Sequence, residues 1–364
     1  MASARDLARP VARRVAQAAT RGWAPRSRLF LVGPGAGWVL DHELRAVRDT
    51  ALGLGIRVPS GRLLHGSRNQ AAFYGDQFTL LTGPWQPPPH ALGIAYFHGR
   101  PGTPGMPEFD ECYATLRARH AEIARVQVSH SELEALVLET GIAPEKVFRI
   151  PIGIELSYFK PQTPDWRAAA RVELGLPQSA FVVGSFHKDG VGWGDGKEPK
   201  PIKGPDTMLA ALEAVDVPEL HVLLSGPARG YVRAGLKKLG IPTVHRQVER
   251  YEDVARLYDA LDAYVVPSRQ EGGPKGVLEA LASGVPLVTT RVGQAMDLVR
   301  HGENGWLVEP EDSAGLAHWL THVAGRPAEL ADVIARGRET AAANSYTAQR
   351  PLWEAFFAGF VERS

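Results

Sequence analysis

Apolar runs of strand length alternate with helical patterns along the whole chain, and this alternation predicts an α/β protein built on parallel sheets covered by helices. Two further observations set the number of sheets. At 364 residues the chain exceeds one ordinary domain. A polar stretch punctuated by Phe159, Pro161 and Pro164 then separates an earlier set of strands from a later one. The expected architecture is two Rossmann-like halves facing across a cleft, residues 26–160 and 161–345.

The elements follow in order. In the first half the expected strands are Leu29–Gly33, Gly93–Phe97, Val126–Ser129 and Val147–Pro151. In the second they are Phe181–Ser185, Leu220–Ser225, Ala263–Pro267, Pro286–Thr290 and Trp306–Val308, with a helix over Asp165–Leu174. Three loops are rich in Gly and Pro: Gly83–Pro89, Gly99–Pro107 and Asp189–Pro205. The last contains Gly190-Val191-Gly192-Trp193-Gly194-Asp195-Gly196, too glycine-rich for a regular element and read as a lid.

Composition narrows the function classes. Hydrophobic content of 44% with 22% charged residues is that of a globular chain. No apolar run approaches the roughly 18 residues of a membrane span. Lys plus Arg, 41, nearly cancels Asp plus Glu, 40, so nucleic acid is not an expected partner. The first 30 residues are the exception, with seven Arg against one Asp. Residues 1–25 are read as a basic leader, with two readings open: a solvated segment, or a helix interrupted at Pro10 that touches an anionic membrane surface. Cys112 is the sole cysteine, which excludes an internal disulfide. The expected location is the cytoplasm, with association at the inner membrane face as the variant.

The chemistry concentrates at Glu271-Gly272-Gly273-Pro274-Lys275-Gly276-Val277-Leu278-Glu279. The apolar run before it reads as a buried strand and Pro274 as the opening of a helix. Glu271 therefore belongs to the loop after the strand and Glu279 to the helix, near the crevice where α/β sheets bind ligands. A helix start without a side-chain cap suits an anion such as a diphosphate, and the paired glycines let it approach the main chain. Nearby carboxylates then supply acceptors for sugar or ribose hydroxyls. For either Glu alone, a helix-start carboxylate favoured by the dipole would be the plainer account.

This stretch resembles the Glu-x7-Glu motif of the retaining glycosyltransferases of family 4, group 1 glycosyltransferases with the GT-B fold. Other segments fall in the same family order: Val126-Gln127-Val128-Ser129-His130-Ser131, Gly141–Val147, Ile150-Pro151-Ile152-Gly153-Ile154-Glu155, Lys203-Gly204, Ser225-Gly226, and Asn304-Gly305-Trp306-Leu307-Val308. The match is dense from about residue 120 to 345 and thin before 90. The resemblance implies that Glu279 holds the ribose and Glu271 the donor sugar. It also implies that Lys203 with Gly204 binds phosphate, with Lys188 replacing the usual Arg, and that His98 faces the reaction centre. A final helix, 346–364, would return to the first domain.

Departures from the family pattern leave some roles open. Lys275 stands where an apolar residue is usual, and either meets a phosphate or acidic sugar or is solvated. Gly272, Gly273 and Leu278 complete the donor loop. Gly35 and Gly37 could admit phosphates across the cleft, though Trp38 breaks a dinucleotide fingerprint. Arg68, Asn69 and Tyr74, with Gln70, form a polar cluster that either meets the acceptor or is a surface loop. The function implied is metal-independent, retaining transfer of a glycosyl group from a nucleotide-diphosphate sugar (UDP-, GDP- or another) to a hydroxyl acceptor. No cofactor is obligate, and no metal site stands out. A nucleotide-sugar epimerase and a catalytically silent sugar-nucleotide binder are the alternatives.

Overall fold

The computed structural model describes residues 27–33, 35, 39–59 and 68–362. The basic leader and Gly37 lie outside them. Two compact units divide the chain: one runs to Ile150 and resumes at Gln349, and the other spans Pro151–Ala348. The division thus falls ten residues before the expected one. Its physical reason is that Ile152 and Ile154 belong to the second unit: the Ile152 N–H donates to Gln294 Oε1 at 2.8 Å, and Ile154 bridges to Ser345.

The first unit holds a parallel sheet in the order β1 (Leu29–Val32), β2 (Ala71–Tyr74), β3 (Ala91–Ala95), β4 (Ile123–Val128), β5 (Val147–Arg149). A parallel bridge joins Arg28 to Arg57. The Leu29 N–H donates to the Arg57 carbonyl while the Arg28 carbonyl accepts from Ala71, so residue 57 lies on the side of β1 away from β2. The chain therefore steps outward through the helix Val39–Gly53 and returns past β1, which makes a switch point between β1 and β2.

β2 was not expected as a strand, and it corrects the polar-cluster reading. Gln70 and Tyr74 are buried, and burial pushes the Tyr74 phenol up to about 12. Arg68 and Asn69 alone are exposed, Asn69 with a left-handed φ of 53°. Residues 68–74 thus run from a surface turn into the sheet interior.

The helix Arg350–Phe357 packs on this same sheet. Trp353 and Phe356 meet the Phe73 ring edge-on at 5.7 and 5.4 Å. Arg125 fixes the helix end by donating to the carbonyls of Phe356 and Ala358.

The second unit is a six-stranded parallel sheet. Its strands are β6 (Phe181–Ser185), β7 (Leu220–Leu224), β8 (Thr243–His245), β9 (Ala263–Val266), β10 (Leu287–Thr290) and β11 (Trp306–Val308), arranged β11-β10-β9-β6-β7-β8. The strands of the centre are buried on both faces, consistent with their mostly apolar content, such as Val182, Val183, Val265, Val266, Leu287 and Val288. Strand order reverses between β6 and β9, so a crevice opens at their carboxyl ends. Both units are Rossmann-like parallel sheets.

Candidate functional site

The reversal between β6 and β9 brings two loops together. From β6 come Phe186, His187 and Lys188; from β9 come Pro267, Ser268 and Glu271. A tight turn, Pro201–Lys203, locks onto the second loop: the N–H groups of Arg269 and Gln270 both donate to the Ile202 carbonyl, at 2.9 and 3.0 Å. Gly204 then adopts a left-handed φ of 60° at the start of the helix Pro205–Glu213. A side chain there would meet the Pro267 carbonyl at 2.0 Å, so glycine is required twice over.

This turn delivers Lys203 to Glu271. The ammonium donates to both carboxylate oxygens at 2.7 Å, and the Ser268 hydroxyl donates to Oε1 at 2.8 Å. The pair is only partly shielded, with side-chain exposures of 21% and 10%. A cation and a carboxylate face the crevice as one ion pair.

Glu279 has a different setting. It lies on the helix Lys275–Ser283, which begins after Pro274 without a side-chain cap. The carboxylate is buried and accepts from Tyr251 Oη at 2.5 Å and Tyr258 Oη at 2.9 Å. Burial, then the charge of Glu279, drives the Tyr258 phenol well above its ordinary range, so its hydroxyl acts as a donor.

Three sequence expectations change here. Lys275 is not solvated: its ammonium is buried, donates to the Gly153 carbonyl and to Tyr346 Oη, and lies 5.0 Å over the Tyr251 ring. Leu278 puts its side chain wholly into the apolar core, which leaves it nothing to offer a ligand but backbone. Gly273 is demanded by packing, because a Cβ would strike Ile152 at 2.1 Å. Its neighbour Gly272 gives its carbonyl to the Gln294 N–H.

Lys188 meets an aromatic partner. Its ammonium sits 4.0 Å over the ring of Trp193, in the glycine-rich insertion. That insertion is no free lid. Gly190 bridges to Pro199, and the carbonyls of Asp195 and Gly196 accept from the N–H groups of Gly230 and Tyr231, capping the helix Gly230–Leu239. Only its tip is open, with Trp193 71% exposed. Beneath the insertion, Asp189 and Arg229 form a fully buried ion pair at 3.0 Å, and Arg229 also donates to the Ser185 and Ser225 carbonyls. Burial is the largest influence on Asp189 and raises its pKa, with the guanidinium opposing that rise. Burial, then the charges of Arg229 and Lys203, hold His187 well below the usual imidazole value, so it is neutral.

In the first unit His98 follows β3. Its N–H and that of Phe97 both donate to Gln77 Oε1, at 2.9 and 3.0 Å, and its ring packs 4.9 Å from Phe78. Gly35 has a left-handed φ of 64° and is exposed. Gln77, Tyr251, Tyr258 and Arg229 are the residues the sequence reading missed. Gln77 follows Gly75-Asp76 after the apolar Ala71–Tyr74, a weak local signal, and the other three carried none.

Residues 194–325 match the family model described as Glycosyl transferases group 1. Among curated proteins, the D-inositol 3-phosphate glycosyltransferase of Saccharomonospora viridis is 32% identical over 236 residues, covering 60% of this chain and 51% of the relative. A D-inositol 3-phosphate glycosyltransferase 1 of Catenulispora acidiphila is 30% identical over 271 residues, covering 70% and 61%. The chain thus spans little more than half the length of the curated relatives it matches. Among solved structures, Anabaena HepE in complex with UDP-glucose superposes with a TM-score of 0.72 at 18% identity, over 91% of this chain and 99% of that one. Sucrose-phosphate synthase from Thermosynechococcus elongatus gives 0.71 at 19%, over 92% and 100%. These likenesses show the GT-B fold.

Proposed function

We propose, from the match of residues 194–325 to the group 1 glycosyltransferase model, that this chain belongs to that family and moves a glycosyl group from a nucleoside diphosphate sugar to a hydroxyl acceptor. One observation carries the reading: Lys203, Ser268 and Glu271 converge within hydrogen-bond distance at the strand-order reversal between β6 and β9. That crevice is where open α/β sheets take ligands.

In this reading the diphosphate competes with Glu271 for the Lys203 ammonium. The cation then offsets the charge gathering on the departing phosphate, and the freed carboxylate accepts from donor-sugar hydroxyls. Glu279, fixed by Tyr251 and Tyr258, keeps acceptor capacity for ribose hydroxyls. The uncapped start of the helix Lys275–Ser283 adds its dipole to the phosphates. Transfer proceeds with retention and without a metal, the leaving phosphate taking the acceptor's proton. That HepE was solved with UDP-glucose supports a uridine donor as the first to test.

The test is a thermal-shift panel of UDP-, GDP-, ADP- and dTDP-sugars with EDTA present, followed by nucleotide release with and without acceptor. One stabilising donor and acceptor-dependent release support the proposal. Conversion of the sugar nucleotide without acceptor would mean epimerisation, and no stabilising donor would mean that this is no donor site.

A further inference from the structure

We infer that the surface of the second unit carries a second carbohydrate site, a groove that binds an oligosaccharide between the helices Pro164–Leu174 and Val254–Tyr258. Trp166, Ala170 and Glu173 fall about one turn apart on the first helix and form one wall. Ala255, Arg256 and Asp259 form the other. Two hollows, of about 320 and about 340 Å³, adjoin at Ala170 and Arg256, where Arg256 reaches across to Glu173 at 3.7 Å. None of the residues lining them belongs to the Lys203–Glu271–Glu279 region.

The chemistry of the walls selects the occupant. At one end Tyr158 and Trp166 are 39% and 46% exposed, an unusual placement for large rings. A pyranose presents a face of C–H groups rimmed by hydroxyls, and it matches a flat ring flanked by hydrogen-bonding groups. Those groups are present: Ser157, Lys160 and Asp259 beside the rings, and Gln247 and Glu173 in the second hollow. Carboxylates interleaved with cations disfavour a polyanion, and alanine with charged side chains is a poor bed for a lipid surface. Two adjoining hollows suit a chain of at least two sugar units. That this chain is the glycan being extended rests on the transferase reading; that the groove binds sugar does not.

Calorimetry on the full chain without nucleotide tests the inference, against neutral gluco-, manno- and galacto-oligosaccharides and uronate-bearing ones, each of one to six units. We expect at least one series to bind, more tightly at two units than at one. Trp166→Ala and Tyr158→Ala should each weaken binding about tenfold, while Trp166→Phe retains most of it. The Thr163 cap survives these changes, because it accepts from the Trp166 main-chain N–H. Unfolding temperature and nucleotide-sugar binding should stay parental. No binding by any series, or binding indifferent to both alanine variants, would overturn the groove. Sugar binding in a parent that ignores every nucleotide sugar would keep the groove and sink the transferase reading.

Discussion

Glu271 and Glu279 belong to one short segment yet are held in opposite ways. Glu271 lies in a loop, carries a full ion pair with Lys203 and accepts from Ser268. Glu279 lies inside a helix, is buried, and accepts from the Tyr251 and Tyr258 hydroxyls. A charge paired at the crevice can be released by a competing anion, whereas a buried one bracketed by two hydroxyl donors stays put. The first arrangement suits a group that must change partners during turnover, and the second a group that must keep its position.

The largest test of this contrast is Glu271→Gln. Loss of the carboxylate that accepts from donor-sugar hydroxyls should lower kcat by about 10²–10³, followed by nucleotide release, while nucleoside diphosphate affinity holds or tightens because Lys203 loses its competing partner. Parental turnover would remove the distinction. Glu279→Gln should do the reverse, weakening nucleoside diphosphate binding in calorimetry by about ten- to a hundredfold through lost charge-assisted hydrogen bonds.

Next comes stability. Lys203→Met leaves Glu271 half-buried and unpaired and should cost about 1–3 kcal/mol in chemical denaturation. The double variant with Glu271→Gln should recover part of that loss. If the two losses simply add, the pair is not coupled as described. Tyr258→Phe should cost about 1 kcal/mol and should raise the nucleotide Kd only modestly, because Tyr251 still holds Glu279.

The smallest effect concerns Asp259, a carboxyl in the wall of the surface groove and away from the Lys203–Glu271–Glu279 region. Burial raises its pKa to about 6, with Arg256 opposing. For an acid shifted upward, the stabilising protonation is complete below about pH 4 and lost as pH rises through 6. Asp259→Asn should therefore be more stable than the parent above pH 6, by about 1 kcal/mol once solvent screening is allowed for, and equal to it below pH 4. A constant difference across that range would assign the effect elsewhere.

Much of the fold was legible from apolar runs. β6 and β11 fall where the sequence predicts them, and the loop-then-helix placement of Glu271 and Glu279 follows from Gly272-Gly273-Pro274. β2 escaped because four residues, Ala71–Tyr74, follow a polar stretch and offer no alternation to read. β8, three residues long, escaped likewise. The tyrosines on Glu279 were invisible for a deeper reason. Tyr251 and Tyr258 reach it across 28 and 21 residues of chain, and only the packed sheet sets that distance. Lys188 was assigned to phosphate by its place after β6, but the nearby insertion supplies the Trp193 ring as its partner.

The way the glycine-rich insertion is moored has a practical consequence. Its Asp195 and Gly196 carbonyls complete the start of the helix Gly230–Leu239, and Gly190 and Gly196 lie so close to Ala228 that a Cβ at either would collide with its carbonyl. Trimming the loop would therefore fray a helix some thirty-five residues further along the chain, whereas exchanging residues at the tip would not. Trp193 is exposed at that tip with an ammonium over its ring and is one of eight tryptophans, so the difference in emission between the parent and Trp193→Phe reports where Lys188 is.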